Sequence, residues 1–234
     1  MQKSSRELYY MSNKYLLKPK RIRNIRIFQE RSTLEQVFDF PDDYLIIAQR
    51  YVQKLNESGF LMQGNNYFMV HFTRQLANSA ISFENETKWD EDSKGKQEVN
   101  AGVDPLIFNS YSEDKKGEFI TKLIAKILIQ YIGKYHGDTK IIKRLESLIL
   151  KHGGDLEVIY KTKETKKYKL IISYQTKGHD KSYAIIEYID KLNAGKNRKV
   201  LVPLRNFFDI DDLIAAIRVK DDKINIKNES IIKR

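Results

Sequence analysis

The spacing of apolar positions changes along this chain, and each change marks an element. Residues 21–28 (RIRNIRIF) set Ile22, Ile25 and Ile27 among arginines, which predicts a short strand. A helical period follows: Leu45, Ile46, Ala48, Val52 and Leu55 form one stripe. Pro41 fits its first helical position, Asp42 and Asp43 suit the positive end of its dipole, and Gly59 fits the position past its last turn. Tyr67 to Thr73 (YFMVHFT) is aromatic and β-branched after the turn signal Gly64-Asn65-Asn66, so it reads as a strand, with residues 80–84 as its partner. The polar stretch 84–100 then separates it from a short strand expected over 101–108.

Two helices come next. Residues 118–135 put Ile120, Leu123, Ile124, Ile127, Leu128, Tyr131 and Tyr135 on one face, with Lys122, Lys126, Gln130 and Lys134 four apart on the other. Glu118 is spaced to pair with Lys122. Gly137 ends this helix and Asp138 caps the next, over 139–152, whose apolar face is Ile141, Ile142, Leu145, Leu148 and Ile149 before the stop at Gly153-Gly154. The last third alternates with a period of two and predicts an antiparallel meander. Its strands are 156–162, 168–176, 182–189 and 199–204, with a turn at 193–197, a short helix over 210–217 and a final strand at 223–227; residues 182–192 also fit a helical period through Ile185, Ile189 and Leu192, with strand the favoured reading. Strands, then helices, then strands define an α+β class: antiparallel meanders packed with a helical hairpin and an N-terminal helix. The expected organisation is a basic arm over 1–32 and one α+β domain over 33–234, with a soft seam near 109–116.

Composition narrows the class. An apolar fraction of 41% with 14 Tyr, 11 Phe and 1 Trp is too high for intrinsic disorder. The absence of Cys excludes a disulfide scaffold, a thiolate zinc site and a thiol nucleophile. No apolar core of signal-peptide length follows the first charges, and the longest apolar run, 123–132, is far shorter than the ~20 residues of a bilayer span. A cytoplasmic protein with no membrane partner is expected, and Met11 stands as a second in-frame start.

The net charge of +11 hides a partition. Residues 1–31 carry +7, 32–114 carry −8, 115–169 carry +8 and 170–234 carry +4. Local fields of this kind steer partners more than the total does. The basic arm and the helical lysines offer a candidate phosphate-binding set, Lys20, Arg21, Arg23, Arg26, Lys122 and Lys126, with Tyr9, Tyr10 and Tyr15 upstream for stacking. The plainer reading is a charged edge strand and a solvated helix face. The acidic part is sharper: Glu84, Glu86, Asp90, Glu91 and Asp92 surround Trp89, the only tryptophan. A Trp ringed by carboxylates is a candidate protein anchor for a cationic partner, offering apolar area and electrostatic steering. A mobile acidic loop with its Trp folded back is the plainer alternative.

Candidate chemistry is sparse. The histidines, His71, His136, His152 and His179, fall at no metal-ligand spacing, and there is no G-x-S-x-G, P-loop or G-x-G-x-x-G. His71 reads as a satisfied core or cleft residue, and His136 and His152 as helix-end cations. Asp155, Glu164 and Lys166 resemble the Asp and acidic-x-Lys of restriction-type nucleases, which would hold Mg²⁺ and orient water. However, Glu164 and Lys166 fall where a hairpin should turn, which is poorly pre-organised for a metal.

The runs NYFMVHFTRQLANSAISFENETKWDED, VNAGVDPLIFNSYSEDKKGEFITKLIAKIL and DLEVIYKTKETKKYKLIISY form a strand meander, a G-V-D turn, a helical hairpin and a second meander. This pattern, over most of residues 60–230, resembles immunity proteins encoded beside bacterial polymorphic toxins of the contact-dependent inhibition type. The resemblance implies a non-enzymatic cytoplasmic protein without cofactor that binds one cognate toxin domain and blocks it. Immunity proteins against nuclease toxins commonly use acidic surfaces, which suits Glu84 to Asp92, although +11 overall departs from that habit. A nucleic-acid-binding protein of a phage or mobile element, using the basic arm and the lysine face, is the alternative.

Overall fold

The computed structural model describes residues 19–29, 37–84, 95–134, 137–176, 182–193, 197–204, 217–220 and 223–226, the last two stretches by backbone alone. Its class is α+β, as the patterning predicts. The chain forms two compact units, Met1–Ser147 and Leu148–Arg234, and the division falls within a helix rather than in a linker.

The first unit holds a four-stranded sheet in the order β1-β2-β4-β3, built from β1 (Asn24–Phe28), β2 (Tyr67–Thr73), β3 (Ile81–Phe83) and β4 (Lys96–Gly102). β1, β2 and β4 run parallel and only β3 is antiparallel. The crossover from β1 to β2 is made by helix α1 (Tyr44–Glu57), because parallel neighbours need a long connection. Three expectations change here. The sheet is not an antiparallel meander, because the α1 crossover lets β1, β2 and β4 run side by side in one direction. Residues 80–84 do not pair with β2, since β4 takes that position and β3 pairs with β4. The strand expected over 101–108 is instead the end of β4 followed by the short helix α2 (Pro105–Asn109), capped by Asp104, whose carboxylate accepts from the amides of Leu106 and Ile107.

Helix α1 starts later than its Pro and Asp signals suggest. Pro41 stands outside, in a turn closed by the Tyr44 amide on the Pro41 carbonyl, and Asp43 occupies the cap position. The buried stripe shifts accordingly to Ile47, Ala48, Tyr51, Val52 and Leu55, leaving Leu45 44% exposed. Gly59 takes φ +74° just past the end, a left-handed conformation that glycine adopts without steric cost. Helix α3 (Glu113–Gly133) begins five residues before the expected start, because Ser112 caps it through the Lys115 amide and Gly117 is tolerated inside. Residues 109–116 therefore end α2 and open α3. The expected Leu, Ile and Tyr131 face of α3 is buried, with Lys122 and Lys126 exposed. Helix α4 (Lys140–His152) follows, with Asp138 accepting from the Lys140 amide.

An aromatic cluster fills the core of this unit. Phe38, Phe40, Phe72, Phe108 and Phe119 meet largely edge to face at centroid distances of 5.0–6.3 Å, a geometry worth roughly 0.5–1.5 kcal/mol per pair beyond the area buried. Phe68 and Tyr131 meet in the same way at 4.9 Å, placing α3 against β2. The Tyr51 hydroxyl donates to the Thr121 carbonyl at 2.9 Å and ties α1 to α3, and burial pushes its pKa up.

The second unit is an antiparallel meander in the order β5-β6-β7-β8, with β5 (Glu157–Glu164), β6 (Tyr168–Gln175), β7 (Ser182–Asp190) and β8 (Arg198–Leu204). This follows the expected meander, each strand shifted by one or two residues. Leu170, Ile172, Tyr174, Ala184, Ile186, Tyr188, Val202 and Leu204 share one face and are all buried. A hairpin of β9 (Ile217–Lys220) and β10 (Lys223–Ile226) completes the described chain. Ile217, expected to end a helix, begins β9, and the rest of that helix (210–216) lies outside the described residues.

Gly102 is fixed by space rather than by dihedral angle. A β-carbon there would lie 2.1 Å from the Ala77 carbonyl oxygen, because the turn after β2 folds across the end of β4 with the Ser79 amide on the Gly102 carbonyl. Gly102→Ala should therefore lower unfolding free energy by about 1–3 kcal/mol. Gly133→Ala, with open space around the helix end, should raise it by up to about 1 kcal/mol. Urea denaturation of both variants checks this contrast, and equal effects would refute the packing assignment.

Candidate functional site

Strand periodicity sorts β2 into two faces. Phe68, Val70 and Phe72 point into the aromatic core, and Met69, His71 and Thr73 take the other side. His71 is 5% exposed although it is ionisable, so its partners matter. Phe28, its register neighbour on β1, stacks on the imidazole at 5.2 Å and 19°. Glu98, one diagonal step away on β4, brings its Oε2 to 2.6 Å from His71 Nε2. The remaining ring nitrogen, Nδ1, is buried without a hydrogen-bond partner among the described residues. With Nε2–H donating to the carboxylate, Nδ1 is left as an unused acceptor.

The same face runs on to the sheet margin. Glu84 continues the β3–β4 pairing by one step, its amide donating to the Glu98 carbonyl at 3.2 Å, so the two carboxylates stand on opposed residues. Like charges in opposed positions destabilise a sheet. Here each has an outlet: Asn100 donates to Glu84 Oε1 at 2.9 Å, and Glu98 engages His71. Beneath them Gln97 is 3% exposed, donating to the main-chain carbonyls of Glu84 and Glu98 and accepting from the Asn65 amide. Glu84 is thus a fixed anchor at the entrance to the acidic segment. Glu86, Trp89, Asp90, Glu91 and Asp92 lie outside the described residues.

The candidate phosphate-binding set is divided. Lys20 forms an isolated bridge with Met62, Arg21 and Arg26 are exposed along the β1 edge, and the Arg23 guanidinium lies 4.9 Å above the Tyr67 ring. The helical lysines are at the other edge: Lys126 donates to the Ser79 carbonyl beside β3, at 2.7 Å, and Lys122 pairs with Glu118. β1 and β3 are the two outer strands, about 14 Å apart at the usual strand spacing. Tyr9, Tyr10, Tyr15, His136 and His179 lie outside the described residues.

The nuclease-like triplet is not brought together. Asp155 sits before β5 and Glu164 ends it, roughly 25 Å apart along an eight-residue strand, and Glu164 is held by Lys191 at 2.6 Å. Among the described residues no three His, Cys, Asp or Glu side chains are grouped to hold a metal ion. A pocket of about 150 Å³ is lined by Phe60, Met62, Ile132, Gly137 and Asp138. One cation was missed by sequence reasoning: Lys116 is buried along its stem and carries its ammonium to Asp39 at 2.6 Å and Glu113 at 3.2 Å. Its pKa is raised, chiefly by the Asp39 hydrogen bond. The His71–Glu98 pair was also missed, because a diagonal contact between parallel strands leaves no spacing signal in the chain. No protein-family model, curated protein or solved structure matches the chain.

Two outcomes follow from this geometry. Glu98→Leu strips His71 of its hydrogen-bond partner and should cost about 1–3 kcal/mol, whereas His71→Phe keeps a stacked ring beside a solvent-reaching carboxylate and should cost under about 1 kcal/mol. Equal losses in urea denaturation would contradict the pairing. The Lys191 ammonium holds the Glu164 carboxyl below its ordinary pKa of 4.5, first through the hydrogen bond and then through charge. The unfolded chain therefore binds that proton more readily, so the stabilisation is present above pH 4.5 and fades as pH falls through the depressed folded value. Lys191→Met should flatten the dependence of melting temperature on pH in that acid window.

Proposed function

We propose that the protein is a binding protein of the toxin-immunity kind, which neutralises one cationic toxin domain by direct contact through the acidic segment and the sheet margin that carries it. The observation that supports this most is the opposed Glu84–Glu98 pair. A sheet loses stability by placing two carboxylates on facing positions, and this one holds them with an asparagine on Glu84 and a histidine on Glu98, while a buried glutamine ties the two main-chain carbonyls. Glu84 is the last described residue before the acidic segment in the chain, and residues 32–114 together carry −8. Complementary fields raise association rates and exclude like-charged competitors, which suits an inhibitor that must capture one partner. The resemblance to immunity proteins of contact-dependent inhibition systems supports the same reading, with a cytoplasmic site of action and no catalytic residue or cofactor in the mechanism.

The partner should co-purify from the native host as one stoichiometric protein, and expressing this chain should restore growth to cells that produce it. Charge reversal at Glu84, Glu86, Asp90 and Glu91 should weaken the complex roughly 10- to 1,000-fold by calorimetric titration, at about 0.5–1 kcal/mol for each reversed pair. Unchanged affinity would remove the acidic segment from the interface.

A further inference from the structure

The second sheet carries a concentration of positive charge at one end that the immunity reading does not use. The β5–β6 and β7–β8 turns lie at the same end of the meander. Residues 161–169 and 187–199 of that end include eight described Lys and Arg against three Asp and Glu. All three carboxylates are spoken for or balanced. Glu164 pairs with Lys191, Asp190 accepts from the Leu192 and Asn193 amides, and Glu187 stands opposite Lys199 in the β7–β8 register. Lys169, half-buried, stands opposite Glu164 in the β5–β6 register, and what remains is Lys161, Lys163, Lys166, Lys167 and Arg198, all exposed and with no ion pair among the described residues.

Their arrangement has a direction. Lys163, Leu170, Tyr188 and Arg198 form one cross-strand row on the sheet's buried face; Leu170 and Tyr188 fill its covered middle, and the two cations stand exposed at its ends, about 14 Å apart. Lys161 lies on the same face two residues along β5, and Lys166 and Lys167 project from the turn. Between the cations Tyr168, half-buried, stacks on Tyr188 at 5.4 Å and 27°. Lysines on exposed edges guard against strand pairing, which would account for Lys161, Lys163 and Arg198. It does not account for Lys166 and Lys167, which sit in a turn with no edge to guard. The composition also discriminates between partners. Protein interfaces are depleted in Lys, whereas a compact ammonium on a flexible stem suits phosphate oxygens as a point charge. Cations flanking a stacked tyrosine match the contact that single strands make with backbone phosphates and one base.

We propose that this end of the second sheet binds single-stranded nucleic acid, with Lys161, Lys163, Lys166, Lys167 and Arg198 on phosphates and Tyr168 as the stacking surface for a base. The site shares no residue with the acidic margin, so separate variants test the two readings.

The test is fluorescence anisotropy of the full chain with a labelled 20-nucleotide single strand, the matching duplex, and vesicles containing anionic lipid, each over 50–200 mM NaCl. Five phosphate contacts give a slope of log affinity against log salt of about −3.5, a loss of about 100-fold across that range. Lys166→Gln/Lys167→Gln should make the slope shallower by about 1.4. Tyr168→Leu should lower affinity by roughly 10-fold or more with the slope unchanged. Circular dichroism melting confirms that each variant is folded, and Lys161→Gln/Lys163→Gln serves as the second charge variant should either fail. Four results would overturn the proposal: no salt-dependent binding, tighter binding of duplex than of single strand, binding of vesicles alone, or binding abolished by Arg21→Gln/Arg23→Gln/Arg26→Gln and untouched by the turn variants.

Discussion

Strand β2 imposes the constraint on which the first unit depends. It lies between β1 and β4 with both ladders parallel, so its backbone is saturated on each side and its seven residues can only alternate between two faces. One face supplies Phe68, Val70 and Phe72 to the aromatic core and holds α3 through Tyr131. The other receives His71 because nothing else is left for an odd position in that strand. The parallel arrangement in turn requires α1 as a crossover, and α1 is tied to α3 through Tyr51. The polar pair His71–Glu98 is thus a consequence of topology: an ionisable side chain in a saturated central strand must find its partner on a neighbouring strand, and Glu98 is within diagonal reach.

The electrostatics of the molecule follow a common rule in both units. Where a charge is held by backbone position, a neutral or opposite group stands beside it. Glu84 has Asn100, Glu98 has His71, Lys116 has Asp39 and Glu113, and Glu164 has Lys191. The exposed cations of the second sheet concentrate at its turn end, and the densest acidic run of the chain follows Glu84 in sequence. A total of +11 averages over these two regions and describes neither.

Much of the fold is legible in the chain, and the exceptions have physical reasons. Helix α3 announces itself because an unbroken apolar face and lysines four apart satisfy one period for five turns. The second meander is legible because one of its faces is buried and its turns are polar. β4 is not, since KQEVNAG reads as a polar connection. It is a central strand whose Gln97 is buried with both amide donors and its oxygen hydrogen-bonded, and whose Val99 and Ala101 are too few to stand out. The start of α1 was displaced because Pro41 and the two aspartates serve the turn before the helix as well as they would serve its first turn. Of the candidate sites, the carboxylate at Glu84 and the lysine face were legible as charge patterns. The His71–Glu98 contact depends on a parallel register that local sequence does not encode.

The irregularity in β5 has a wider consequence. Pairing with β6 shifts by one residue between Ile159 and Lys161, so that Tyr160 is extra to the ladder. Up to that point alternation would carry Lys161 and Lys163 to the side of Ser173 and Ile185; past it they stand with Leu170 and Ile172. A single inserted residue has moved a line of charge from one surface of a sheet to the other without altering any charged residue. Gaining or losing one residue at this place would therefore be an economical evolutionary route to a different binding face on an unchanged scaffold.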